Sequence, residues 1–133
     1  MIKYSIEVWI YNLIIREMLL LKVKTDQFSF WQPITGGIEN SETPEVACIR
    51  EIFEETGLKT TLTKLLKIGH HTVVMNEDLS IFKTLFLMET KRKDIRISDE
   101  HVDFMWTKVK TVPDILYWQS NQETFQMVVE KLS

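Results

Sequence analysis

GGIENSETPEVACIREIFEETGL, residues 36–58, is the stretch on which the fold turns. Thr43 followed by Pro44 marks a helix start. A threonine oxygen can accept from the free amides of the first turn, and a proline at the first helical position lacks a donor that would be orphaned there anyway. Gly57 marks the stop, because glycine enters the left-handed conformation that ends helices without steric cost. Between these signals Val46, Ile49, Ile52 and Phe53 recur at helical spacing. They predict a buried apolar stripe, with Glu51, Glu54 and Glu55 turned to the other side.

Those three carboxylates are badly placed for stability alone. The last turns of a helix carry the negative end of the macrodipole, and like charges three or four residues apart repel by roughly 0.2–0.5 kcal/mol per pair. Glu51 and Glu55 are one turn apart and Glu54 is about 100° round from Glu55, so their oxygens can meet at one point beside the helix. Convergent carboxylates suit a hard divalent cation such as Mg²⁺, which turns the repulsion into attraction. The competing reading is a solvated acidic helix face. Arg50, four residues before Glu54, can shield and orient the cluster under either reading.

The wider spacing separates the two. Gly36, Glu42, Arg50, Glu51, Ile52, Glu54, Glu55, Gly57 and Leu58 satisfy the pattern G, five residues, E, seven residues, R-E-aliphatic-x-E-E-x-G-aliphatic. At ordinary residue usage its seven fixed positions would arise by chance on the order of once in 10⁸ to 10⁹ starts. The stretch matches the Nudix box at every fixed position, and the chain resembles the Nudix hydrolase family. The resemblance implies an enzyme that binds Mg²⁺ or Mn²⁺ and cleaves a diphosphate linked to another moiety. It also implies an α+β fold, a mixed α/β/α sandwich with a mixed sheet, the box helix and a C-terminal helix. Carried over by position, Glu51, Glu54 and Glu55 would be metal ligands together with the carbonyl of Thr35. Glu51 and Glu54 would be catalytic, Glu51 as a candidate base for the attacking water, with Arg50 as the orienting partner. Glu42 would brace the loop and Arg50. Two features depart from the common form: the second glycine, Gly37, follows Gly36 where Thr35 precedes it, and Ser41 stands where glycine is common.

Outward from the box, alternating and β-branched stretches predict strands at "YSIEVWIY" and "MLLLKVKT", joined by a turn near Asn12 to Glu17. Further strands are expected in "TLTKLLKIGHHTVVM", "LSIFKTLFLMET" and "VDFMWTKV", the first two of these joined through "NEDL". Ser120 and Glu123 have the spacing of a capping box, and Phe125, Val128, Val129 and Leu132 form a stripe for a final helix. With 133 residues, 44% of them hydrophobic, and no linker-like tract, residues 1–133 read as one domain.

The net charge of −3 argues against non-specific DNA binding, which relies on excess Lys and Arg. Lys3, Glu7, Arg16 and Glu17 interrupt the apolar N-terminal region, so it reads as neither a membrane span nor a signal peptide core, and a cytoplasmic protein is expected. Cys48, the single cysteine, cannot form an internal disulfide and sits among apolar neighbours, as a small core residue would. Adjacent His70 and His71 point to opposite faces of a strand and cannot share a metal, which argues against zinc.

Outside the box, "FWQPITGGIE", "DEHVDFMWTKV" and "YWQSNQETFQ" resemble the dihydroneopterin triphosphate or dATP pyrophosphatase branch. That similarity implies a nucleoside or pterin triphosphate cleaved to monophosphate and pyrophosphate. Alternatives are another nucleoside-diphosphate compound, an RNA 5′ end, or a non-catalytic nucleotide-sensing module. Glu100 matches a position that supplies an extra ligand or base in relatives, or is an ordinary loop acid. Phe28, Phe30, Trp31 and Trp106 are either ring-stacking or core residues. Lys22, Lys24 and Lys83 either meet phosphates or lie in solvent. Monomer and homodimer are both compatible with the composition.

Overall fold

The strand β1 (Ile2–Asn12) is apolar on both faces through its second half, which a strand can be only at the centre of a covered sheet. The computed structural model describes residues 1–132 and places β1 there. The other strands are β2 (Glu17–Lys24), β3 (Ser29–Gln32), β4 (Ile34–Gly37), β5 (Leu65–Val74), β6 (Ser80–Thr90) and β7 (Asp103–Lys108). The strand order is β3-β2-β1-β6-β5, with β4 added to β1 and β7 to β2. The sheet is mixed: β1 and β6 run parallel over their whole length, Ile2 opposite Ser80 through Asn12 opposite Thr90. The remaining strand pairs are antiparallel.

Alternation along β1 divides the interior into two layers. Ile6, Val8 and Ile10 join Leu19, Leu21, Phe86 and Met88 beneath α1 (Pro44–Thr56), which contributes Ala47, Cys48 and Ile52. Trp9, Met18, Leu20 and Leu87 face the other way, under Phe125 and Val128 of α3 (Gln119–Val129), with Val112 of the short α2 (Val112–Ile115) beside them. Helices therefore cover both faces of the sheet in an α+β sandwich. Truncating a side chain such as Phe125 to alanine would cost about 3–5 kcal/mol. Among the described residues, no helix is long and apolar enough to cross a membrane.

The turns use side-chain chemistry that local sequence supplies. Asn12 Oδ1 accepts from the amides of Ile14 (2.9 Å) and Ile15 (3.1 Å), which closes the β1–β2 hairpin, and Arg16 takes a left-handed φ of 61°. In the β5–β6 hairpin Asn76 Oδ1 accepts from the Asp78 amide at 2.8 Å. At the start of α1, Thr43 Oγ1 accepts from the Val46 amide at 3.1 Å; at its end Gly57 adopts φ 76°.

Two local expectations are corrected. The buried face of α1 consists of Ala47, Cys48, Glu51, Ile52, Glu55 and Thr56, whereas Val46 and Phe53 are exposed. The helix is rolled so that two carboxylates, rather than two large apolar groups, face the protein. Ser120 does not cap α3: the helix begins one residue earlier, after an extended Trp118 whose carbonyl accepts from Asn121 (3.1 Å) and Gln122 (3.2 Å). Glu123 is drawn away by β5, where His71 Nε2 lies 3.1 Å from its Oε1.

Candidate active site

The loop–helix–loop of residues 36–58 folds back against β1 because β4 pairs antiparallel with it, Gly36 opposite Ile6 and Thr35 opposite Glu7. This brings the start of the stretch beside the end of α1. The Gly36 backbone packs directly on the Glu51 side chain. Arg50 ties the loop to the helix from above. Its Nε and Nη2 donate to the two oxygens of Glu42, at 2.7 and 2.9 Å, while Nη1 donates to Glu51 Oε1 at 2.9 Å. Nη2 also reaches the Gly37 carbonyl at 3.0 Å, and Glu54 lies 3.5 Å from Nη1. A planar fork satisfies this many acceptors at once, and a lysine could not. Glu42 also accepts from the Glu39 amide at 2.9 Å, so its carboxylate closes the loop as well as holding Arg50. The hydrogen bonds that Arg50 donates hold the Glu42 carboxyl at about 2, and the same bonds raise the guanidinium in turn.

Glu51, Glu54 and Glu55 each bring an oxygen to within 4.8 Å of the others. Glu51 is 8% and Glu55 3% exposed, while Glu54 is open to solvent. Burial pushes the Glu51 carboxyl above its ordinary range, opposed by Arg50. Burial likewise raises Glu55, opposed by a hydrogen bond from Ser98 Oγ (2.8 Å) and reinforced by nearby Glu100. Three carboxylates with one guanidinium among them leave an excess of negative charge in a partly dry place, and an all-oxygen donor set of this kind fits a hard divalent cation.

The loop before β7 closes the far side. Ser98 Oγ donates to Glu55, the Glu100 amide donates to Ser98 Oγ at 3.3 Å, and His101 Nδ1 stands 2.6 Å from Glu55 Oε2 without the alignment of a hydrogen bond. Burial lowers the His101 imidazole's pKa, against the pull of Glu100. Nothing in the residue types flags Ser98 in advance; His101, beside Glu100, reads from sequence as a substrate contact or a surface histidine, and the structure instead buries its side chain against Glu55.

On the other side of β4 lies a cavity of about 610 Å³, with Thr35, Gly36 and Gly37 as the lip between it and the carboxylates. Lys83, Trp118 and Asn121 line its wall. Lys83 was expected either at phosphate or in solvent; it is buried against Glu7 instead. Lys22, Lys24, Phe30, Trp31 and Trp106 do not line this cavity. Lys22 Nζ sits 5.7 Å above the Trp31 ring, and Lys24 is exposed on β2. Phe30 joins Phe28, Tyr117 and Trp118 in an aromatic cluster. Trp106 packs against the core and donates to the Lys93 carbonyl at 3.0 Å.

Comparison with known proteins agrees with this geometry. The NUDIX domain model matches residues 3–128. The chain is 28% identical to a dihydroneopterin triphosphate diphosphatase from Haemophilus influenzae, over 92% of this chain and 84% of that one. It is 32% identical to an octanoyltransferase from Myxococcus xanthus over 80% of its own length, but spans only 30% of that protein. The fold superposes on the structure of a dihydroneopterin triphosphate pyrophosphohydrolase from E. coli with a TM-score of 0.81 at 22% identity, covering 97% of this chain and 96% of the other. A family match running nearly end to end, on a chain whose box carboxylates converge at one point, makes this protein a member of the NUDIX family and a pyrophosphohydrolase acting on acid anhydrides.

Proposed function

We propose that this Nudix hydrolase uses Mg²⁺ or Mn²⁺ to split a nucleoside or pterin triphosphate into a monophosphate and pyrophosphate by attack of water on phosphorus. The observation that carries the reading is the convergence of Glu51, Glu54 and Glu55 within 4.8 Å, beside a cavity of about 610 Å³ that reaches the same lip of β4. Support for a triphosphate substrate comes from the similarity to a protein named dihydroneopterin triphosphate diphosphatase.

In this reading the cation is held by Glu51, Glu54 and Glu55, with the Thr35 carbonyl as a further oxygen donor. A cation bound there supplies neutralisation of phosphate charge and a more acidic water. The chain's own groups do the rest. Arg50 engages Glu51 through Oε1, and Oε2, which has no hydrogen bond among the described residues, is able to take a proton from the attacking water. The Arg50 fork, itself clamped by Glu42, fixes that carboxylate in one orientation. Glu100, on the loop that touches Glu55, is a further acid within reach of the cluster. Cation neutralisation and in-line positioning together account for most of the rate enhancement in phosphoryl transfer, so little covalent chemistry is asked of the protein.

The test is incubation with Mg²⁺ and a panel of dATP, dGTP, dihydroneopterin triphosphate, ADP-ribose and dinucleoside polyphosphates, scoring pyrophosphate against phosphate. Release of pyrophosphate from triphosphates is expected, and Glu51→Gln should lower turnover by at least about a hundredfold with the fold intact. Titration calorimetry that detects no uptake of divalent ion, with or without nucleotide, overturns the reading.

A further inference from the structure

Of the three box carboxylates, Glu55 is the one held from outside the box. Its Oε2 accepts from the Ser98 hydroxyl at 2.8 Å, across 43 residues of sequence. The His101 ring, 7% exposed, stands 2.6 Å from the same oxygen. That oxygen is therefore covered twice. Glu55 Oε1 takes no hydrogen bond among the described residues, which leaves its lone pairs open to a cation.

The hydroxyl is aimed at its acceptor by the loop around it. The segment leading to Ser98 is pinned to the end of α1, because the Arg96 amide donates to the Thr56 carbonyl at 2.9 Å while Ile95 and Ile97 pack on the core. The His101 amide then donates to the Ser98 carbonyl at 3.1 Å and closes a turn. Inside that turn Ser98 Oγ accepts from the Glu100 amide at 3.3 Å. A serine oxygen has two lone pairs and one proton, so with the amide on a lone pair the proton is left for Glu55. Glu55 is 3% exposed, and bulk solvent offers it little in place of that proton. A donor that only satisfied a buried carboxylate could take either oxygen. This one takes the oxygen that His101 already covers and leaves the other bare.

We propose that Ser98 is a positioning residue of the metal centre, its hydroxyl fixing Glu55 so that Oε1 stays presented to the cation, and this rests on the reading of Glu51, Glu54 and Glu55 as the ligands. Groups that orient a metal ligand are worth about 10- to 100-fold in metal affinity.

The experiment measures Mn²⁺ bound by the full chain, from the electron paramagnetic resonance signal of the free ion, without nucleotide and with α,β-imido-dATP. Ser98→Ala, folded by circular dichroism, should bind Mn²⁺ about 10- to 100-fold more weakly than wild type. Ser98→Thr, which keeps the hydroxyl, and Asp99→Ala, an exposed neighbour on the same turn, should both stay within about threefold of wild type. In turnover, the Mg²⁺ concentration for half-maximal rate should rise in Ser98→Ala, with kcat at saturating Mg²⁺ within about threefold of wild type. Wild-type Mn²⁺ affinity in Ser98→Ala overturns the assignment and leaves the metal centre standing. Equal weakening in Ser98→Thr or Asp99→Ala also overturns it, since packing of the turn and not the hydroxyl is then responsible. No Mn²⁺ bound by wild type under either condition defeats the metal reading and this assignment with it. If Ser98→Ala does not fold, Ser98→Cys, a weak donor of similar shape, takes its place with the same expected loss.

Discussion

A β-carbon placed on Gly36 would stand 2.7 Å from Glu51 Cγ and overlap the carboxyl group beyond it. The glycine is therefore required by the neighbour on α1 and not by its own backbone angles. Gly36→Ala should leave the fold recognisable by circular dichroism while displacing the Glu51 carboxylate, and turnover should fall by about a hundredfold, the scale of a 1 Å misplacement at a reacting group. Unchanged turnover in this variant would show that Glu51 does not need its present seat.

The clamp between Glu42 and Arg50 makes a pH-dependent contribution with a definite sign. Glu42 is held near 2 in the folded protein against an ordinary value of 4.5. A depressed carboxylate stabilises the fold fully above its unfolded value, and the contribution fades as pH falls from about 4.5 towards 2. Wild type should melt above Glu42→Gln at pH 7, with the gap shrinking through pH 4 and closing near pH 2. A gap that stays constant across that range would contradict the assignment.

Ser41, where the common box pattern has glycine, adopts a φ of 76°. A side chain in that region costs roughly 1–2 kcal/mol, of which the greater unfolded-state freedom of glycine returns about 0.5–1 kcal/mol. Ser41→Gly should therefore stabilise by about 0.5–1 kcal/mol, raising the melting temperature by roughly 2–4 °C in scanning calorimetry. A lower melting temperature would mean that the serine hydroxyl supports the turn.

Cys48, on the inner face of α1, is fully buried, and burial pushes its thiol up to about 12. The native protein should not react with iodoacetamide at pH 8 over hours, and one equivalent should be consumed once guanidinium unfolds it. Rapid native-state labelling would place α1 away from the sheet.

Much of this architecture was legible in residue order because strands and helices impose periods of about two and 3.6 that the apolar residues follow. The box helix, its Thr43–Pro44 start and its Gly57 stop could be read directly, since each depends on one or two adjacent residues. The roll of α1 could not. Val46 and Phe53 scored as core by spacing, yet the helix buries Glu51 and Glu55, whose desolvation makes sense only beside Arg50 and the Ser98 loop. The capping box failed for a related reason: Glu123 found a better partner in His71, 52 residues away in sequence. The Glu7–Lys83 pair did leave a trace. Both strands are apolar on two faces, so a charge in the middle of each has to be buried and has to find its opposite. The aromatic and lysine candidates for ligand contact carried no such constraint, because strand-borne rings serve cores and cavities alike.

The parallel pairing of β1 with β6 shapes how the chain can be made. Of the neighbours of β1, β2 and β4 follow it closely in the chain, whereas β6 begins only at Ser80, with the box helix in the connection between. Until β6 is in place, β1 lacks the one partner that pairs with it along its whole length. Closing the sheet is therefore a long-range step, and the hydrolytic centre, whose Glu55 is held by Ser98 beyond β6, is complete only after it.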